Sequence, residues 1–120
     1  MNKLYSLNAT DTISLIKSNK ITVEELIEST INRINEVNDN FHSFVNRNDK
    51  YNLKIAKQID KKIEQKENVG ELFGIPIGVK DTINEQTMPT EMGSKIWKGF
   101  TPGNDARVIY NIKNNFGLII

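Results

Sequence analysis

The chain has no cysteine among its 120 residues, which excludes a disulfide framework and any thiolate metal site. Its one histidine, His42, is too few for a zinc site built on imidazoles. Neither sign of charge is in excess: 16 basic and 15 acidic residues leave a net charge of +1. There is therefore no electrostatic case for direct binding of nucleic acid or of an anionic membrane surface. No apolar run approaches the roughly 20 residues that span a bilayer. The opening MNKLYSLNATDTISLIKSNK lacks the apolar block of a secretory signal, and the cytoplasm is the compartment expected by default. Gly70, Gly74 and Gly78 fall four apart, unlike GxGxxG. Lys80 neither follows a glycine directly nor precedes Ser or Thr, so there is no P-loop. No cofactor is expected.

What is present suits a globular chain: 38% hydrophobic and 26% charged residues. A chain of this size buries roughly two-thirds of its unfolded surface. A first helix is predicted over Ala9 to Asn19, capped by Thr10 or Asp11. Thr22 and Glu25 stand in capping-box relation and open a second helix. Its stripe of Val23, Leu26, Ile27, Ile31 and Ile34 runs to about Val37, and Asn38-Asp39-Asn40 is expected to break it. Phe41 to Val45 reads as a short strand or extended packing segment. A third helix follows from about Asp49 to Lys66, with Tyr51, Ile55, Ile59 and Ile63 on its inner face. Its charge run, KQIDKKIEQKE, reads as a solvated face.

The stretch GELFGIPIGVKD, Gly70 to Asp81, is different in kind. Ile75, Ile77 and Val79 alternate with Pro76, Gly78 and Lys80, a strand pattern with one apolar face. A strand seldom keeps glycine in its interior unless backbone must come close to something. Lys80 falls at the edge of a core, where the chain leaves a sheet. A long irregular connection, Thr82 to Gly103, marks a functional surface or the place of a missing partner structure. A fourth helix is then capped by Asn104 or Asp105, lined inward by Val108, Ile109 and Ile112, and ended by Gly117. Leu118-Ile119-Ile120 starts a second strand, which the strand-loop-helix-strand order makes parallel to the first. The chain stops inside this apolar run, so residues 1–120 are read as the N-terminal part of one incomplete domain.

GIPIGVKD, followed by TMPTEMGSKIWKGFTPGNDARVI, resembles the front part of the amidase-signature family, serine hydrolases that cleave amide C–N bonds with a Ser–cis-Ser–Lys triad. The likeness is strong from Glu71 to Ile112 and weak before Gly70. It implies an α/β fold in which N-terminal helices precede the opening strands of a mixed β-sheet. It assigns Lys80 as the catalytic lysine, which relays a proton from the nucleophilic serine through the cis serine while an acyl-enzyme forms and ammonia or an amine leaves. A lysine side chain ordinarily titrates near about 10.4, so burial must hold the amine neutral for such work. The family's Asn after Lys-Asp is Thr82 here. Its two serines come from a Gly/Ser-rich segment downstream of the lysine, and no such segment occurs before Ile120. The 120 residues alone are therefore expected to be inactive and poorly stable.

The other candidates read as structural. Asp81 orients the following loop, caps a turn or pairs with a cation. Ser94 reads as a structural hydroxyl, His42 as a partly buried structural histidine, and Trp97 and Phe100 as packing for the loop. The expected partner is a small-molecule amide substrate. The same family includes the A-subunit of glutamyl-tRNA(Gln) amidotransferase, which releases ammonia from glutamine for a second subunit of that enzyme. The rival from another class is a non-catalytic truncated remnant.

Overall fold

The second helix, α2 (Val23–Phe41), is the spine of the fold. Its start is satisfied three times over. Thr22 Oγ1 accepts the Glu25 N–H at 3.1 Å, and Glu25 Oε2 accepts the Thr22 N–H at 2.9 Å. The predicted capping box is therefore present. Asp60, from the next helix, takes the two remaining N–H groups of the first turn, Val23 at 2.7 Å and Glu24 at 3.0 Å. Helix starts leave such donors unpaired, and a carboxylate there also meets the positive end of the helix dipole. Part of the charge run thus faces inward and is structural.

The computed structural model describes residues 3–120. A single 3-10 turn (Leu4–Ser6) leads into α1 (Ala9–Lys17). Asn8, two residues before the nearer of the expected caps, is the cap of α1. Its Oδ1 accepts the Asp11 N–H at 2.8 Å, and Thr10 and Asp11 lie within the first turn. α3 (Asp49–Glu64) lies against α2. Ile16, Val23, Leu26, Ile27, Ile31, Ile34, Ala56 and Ile59 form the common core, joined by Leu118 and Ile120. Each large aliphatic side chain among them contributes about 1.5–3 kcal/mol on burial.

The inner face of α3 departs from the expected row. Tyr51 is exposed, and Asn52, Ala56 and Ile59 are the buried residues, with Ile55 and Ile63 half-buried. The cause is geometric: at 3.6 residues per turn a row spaced by four drifts about 40° per step. The core meets only part of that row. The segment after α2 also differs from expectation. Asn38-Asp39-Asn40 continues the helix to Phe41, and His42 ends it in the left-handed conformation at φ 50°. No strand forms at 41–45. Asn38 grips the segment instead, its amide oxygen accepting the Phe44 N–H at 2.9 Å and its amide nitrogen donating to the Phe44 carbonyl at 3.0 Å.

β1 is Pro76–Ile77 and β2 is Leu118–Ile119, shorter than the expected strands. They pair in parallel, Pro76 with Leu118 and Ile77 with Ile119, as the strand-loop-helix-strand order requires. The connection between them carries a 3-10 turn (Lys95–Trp97) and α4 (Arg107–Asn114). Ile109 is the buried residue of α4, Ile112 is half-buried and Val108 is exposed. Neither Asn104 nor Asp105 caps it; Ala106 holds the cap position, and the Asp105 carboxylate is drawn to Lys113.

Gly117 does not end α4 by its conformation. Phe116 takes the left-handed position at φ 59°, with Phe116 N–H bonded to Lys113 O and Gly117 N–H to Ile112 O, a Schellman cap built without glycine. Gly117 is needed for space: a Cβ there would lie 2.6 Å from Ile112 Cγ2 and 2.8 Å from Leu72 Cδ1. Gly74 has both reasons, with φ +77° and a Cβ that would collide with Val23 Cγ1. The entry to β1 therefore rests directly on the first turn of α2. Gly78 has no such need, since its Cβ would meet Phe44 at an ordinary 3.9 Å.

Candidate active site

β1 ends at a groove of about 480 Å³. Its apolar floor includes Phe44, Val79, Ile119 and Ile120, and Lys80 stands on its lining. The floor follows from the strand pairing, since Leu118 N–H donates to Ile75 O and Ile120 N–H to Ile77 O, both at 3.0 Å. Lys80 is exposed. Its amine has no hydrogen bond or ion pair among the described residues, so it is not a cation with which Asp81 pairs. The burial that a neutral lysine requires is not supplied by these residues. The Lys80 carbonyl accepts the Ile83 N–H at 3.0 Å and turns the chain into the long loop.

Asp81 organises that loop. Its Oδ1 accepts the Glu91 N–H and its carbonyl accepts the Met92 N–H, both at 2.9 Å. Glu91 continues the network: its Oε1 accepts the Gly99 N–H at 2.7 Å, and Oε2 receives the Asn46 amide at 3.4 Å. Thr90, buried, closes the base of the loop through its N–H to Phe100 O at 2.8 Å. A second anchor holds the far side. Glu85 is buried and accepts Thr87 N–H at 2.9 Å, Thr87 Oγ1 at 2.8 Å, and the Lys113 ammonium. Lys113 also reaches Asp105 at 2.9 and 3.0 Å, and Asp105 Oδ1 accepts the Gln86 N–H at 2.9 Å. Burial by itself pushes the Lys113 ammonium down, but its hydrogen bonds to Glu85 and Asp105, with their charge, hold it above the usual lysine range.

Ser94 is occupied as a cap, its Oγ accepting the Ile96 N–H at 3.3 Å. His42 is exposed, so its structural role is to terminate α2 and not to fill a core. Trp97 and Phe100 pack edge to face, 5.1 Å between ring centroids. Among the described residues no three His, Cys, Asp or Glu side chains are grouped to hold a metal ion. No described helix is long and apolar enough to cross a membrane. Sequence reasoning placed Lys80 and Asp81 here, but missed Asn38, Asn46, Glu91 and the Glu85–Lys113–Asp105 cluster. No local signal marked Glu85, since side-chain-closed turns of this kind are the habit of Asp, Asn, Ser and Thr and not of Glu.

The protein-family model described as Amidase matches residues 25–120. The chain belongs to the amidase-signature family. It is 36% identical over 118 residues to the glutamyl-tRNA(Gln) amidotransferase A-subunit, form 1, of Clostridium acetobutylicum. It is 33% identical over 118 residues to the A-subunit of Clostridium novyi. In each case the match covers 98% of this chain and 24% of the relative, so the chain spans about a quarter of the length of these relatives. A solved bacterial aryl acylamidase of the amidase-signature family superposes with a TM-score of 0.86 at 22% identity, over 95% of this chain and 24% of its own. A structure described as an unexpected vestigial protein complex, bearing on the origins of an s-triazine catabolic enzyme, superposes with a TM-score of 0.87 at 22% identity, over 94% of this chain and 25% of its own. The α/β fold of an amidase-signature enzyme is thereby established for these residues.

Proposed function

We propose that this chain is the N-terminal part of an amide-hydrolysing domain in which Lys80 is the catalytic base, acting in the cytoplasm on a small-molecule amide. The observation that carries the reading is the position of Lys80. It follows the short strand β1 on the lining of an apolar groove, with its amine uncommitted to any described side chain. In this reading the nucleophilic and cis serines come from residues outside the chain, which also cover Lys80 and complete a mixed sheet on the parallel pair. Once covered, the amine takes the nucleophile's proton through the cis serine and returns it to the leaving nitrogen. Replacing Lys80 by Ala in the full-length protein is expected to abolish amide hydrolysis. A wild-type rate in that variant would show the role to be wrongly assigned.

A second reading is favoured by the names of the relatives: the protein is the A-subunit of a glutamyl-tRNA(Gln) amidotransferase and releases ammonia from glutamine for a second subunit. Purification with and without other subunits, with ammonia release from glutamine as the assay, separates the two. Glutamine turnover that depends on a co-purifying subunit supports the amidotransferase reading. Turnover of simple amides by the protein alone supports the free amidase. Absence of any turnover by the full-length protein, with Lys80 intact, would leave the non-catalytic remnant.

A further inference from the structure

Asp81 follows Lys80 directly, so what holds Asp81 also holds the backbone that carries the lysine. Both of its partners are backbone N–H groups, Glu91 on Oδ1 and Met92 on the main-chain oxygen. It makes no ion pair among the described residues. The structure thus uses Asp81 as an acceptor and not as a counter-charge. From Glu91 the contacts run on to Gly99 and to Asn46. Asn46 belongs to the loop after α2, and Gly93 to the long loop; both line the Lys80 groove. Asn38 independently fixes the first of these loops through Phe44. Among the described residues, the side-chain hydrogen bond that joins the two loops is Asn46–Glu91, and Glu91 is held in register by Asp81.

We propose that Asp81 is a positioning residue for amide cleavage: through Glu91 and Asn46 it sets the separation of the two loops that wall the Lys80 groove. The proposal rests on the reading of Lys80 as the base. Its test is made in the full-length protein, with glutamine as the amide probe, comparing Asp81→Ala, Asp81→Asn and Lys80→Ala. Backbone hydrogen exchange over residues 90–100 is followed in parallel. Misplaced walls are expected to lower kcat/KM in Asp81→Ala by about 10- to 100-fold, with faster exchange at Glu91, Met92 and Gly99. Asp81→Asn keeps Oδ1, and is expected to keep the protection and most of the rate. The shape of the pH profile of kcat is expected to be common to all active variants.

Asp81→Asn as impaired as Asp81→Ala would mean that charge matters, and would overturn the proposal. So would wild-type kcat/KM in Asp81→Ala, or a lost rate with unchanged exchange. A full rate in Lys80→Ala would overturn the assignment of Lys80 alone, while the exchange comparison would still decide whether Asp81 fixes the loop. If Asp81→Ala fails to fold, Asn46→Ala severs only the contact between the loops and is expected to lower kcat/KM in the same direction. Wild-type kinetics there would overturn the proposal.

Discussion

Removing Lys113 should expose how much the long loop depends on one cation. The Glu85 and Asp105 side chains are 5% and 10% exposed, and the Lys113 side chain is 26% exposed. In Lys113→Met the stem still packs, but two nearly buried carboxylates lose their shared counter-charge. Stripping one partner from a buried pair costs about 3–5 kcal/mol. Water reaches the lysine end, and Glu85 keeps its two bonds to Thr87, so the expected loss is about 2–4 kcal/mol. Urea unfolding followed by the fluorescence of Trp97, the one tryptophan, reads this directly, since Trp97 sits in the anchored loop. Adding Glu85→Gln removes one stranded charge and should restore part of the loss, a coupling that a double-mutant cycle isolates. The pH dependence has a definite sign. Lys113 titrates higher folded than unfolded. Its contribution is therefore fully present below the ordinary lysine value of about 10.4. It fades as pH rises through the higher folded value. The gap between wild type and Lys113→Met should be constant from neutrality to the ordinary lysine value and narrow above it. A Lys113→Met protein within about 0.5 kcal/mol of wild type, or a gap that narrows between neutrality and the ordinary lysine value, would refute the reasoning.

Asp60→Ala leaves the Val23 and Glu24 N–H groups without their acceptor and is expected to cost about 1–2 kcal/mol; an unchanged urea midpoint would show that water replaces the cap at no cost. Asn52 is buried and donates to the Ile119 carbonyl at 2.9 Å across 67 residues of sequence, so Asn52→Ala should cost about 1–3 kcal/mol in the same assay. Lys66 ends α3 in the left-handed conformation at φ 56°, and Lys66→Gly should stabilise the protein by about 0.5–1 kcal/mol. A lower melting temperature in that variant would count against the assigned strain.

What the sequence disclosed follows from how far each interaction reaches. Thr22 and Glu25 are three residues apart, and their box was readable from residue order alone. The helices were readable for the same reason, and the parallel pairing of β1 with β2 followed from the order of elements. The cap from Asp60 spans 37 residues. Inside a run of mixed charges nothing local distinguishes it. Nothing local marks Asn52 as buried, because its partner lies in a strand at the other end of the chain. Residues 41–45 were expected as a strand or an extended packing segment; Phe44 does pack against the core, and the absence of the strand has the same origin. The segment's apolar residues suggested pairing, while Asn38, read as a helix breaker, holds Phe44 by both backbone groups.

The same rule sorts the candidate site. Lys80 was legible because alternation and glycine spacing around β1 are local, and because the family resemblance is concentrated there. The walls of its groove were not, since each is held by polar side chains that reach between segments: Asn46 to Glu91, Lys113 to Glu85. Such contacts leave no periodicity in a sequence. They also explain how an irregular connection from Thr82 to Gly103 holds one shape without a strand or a long helix of its own. N–H groups along it end on the carboxylates of Asp81, Glu85, Glu91 and Asp105. Four carboxylate anchors satisfy the loop backbone as a hydrogen-bonded ladder does in a sheet. They leave the groove side of the loop free of regular structure.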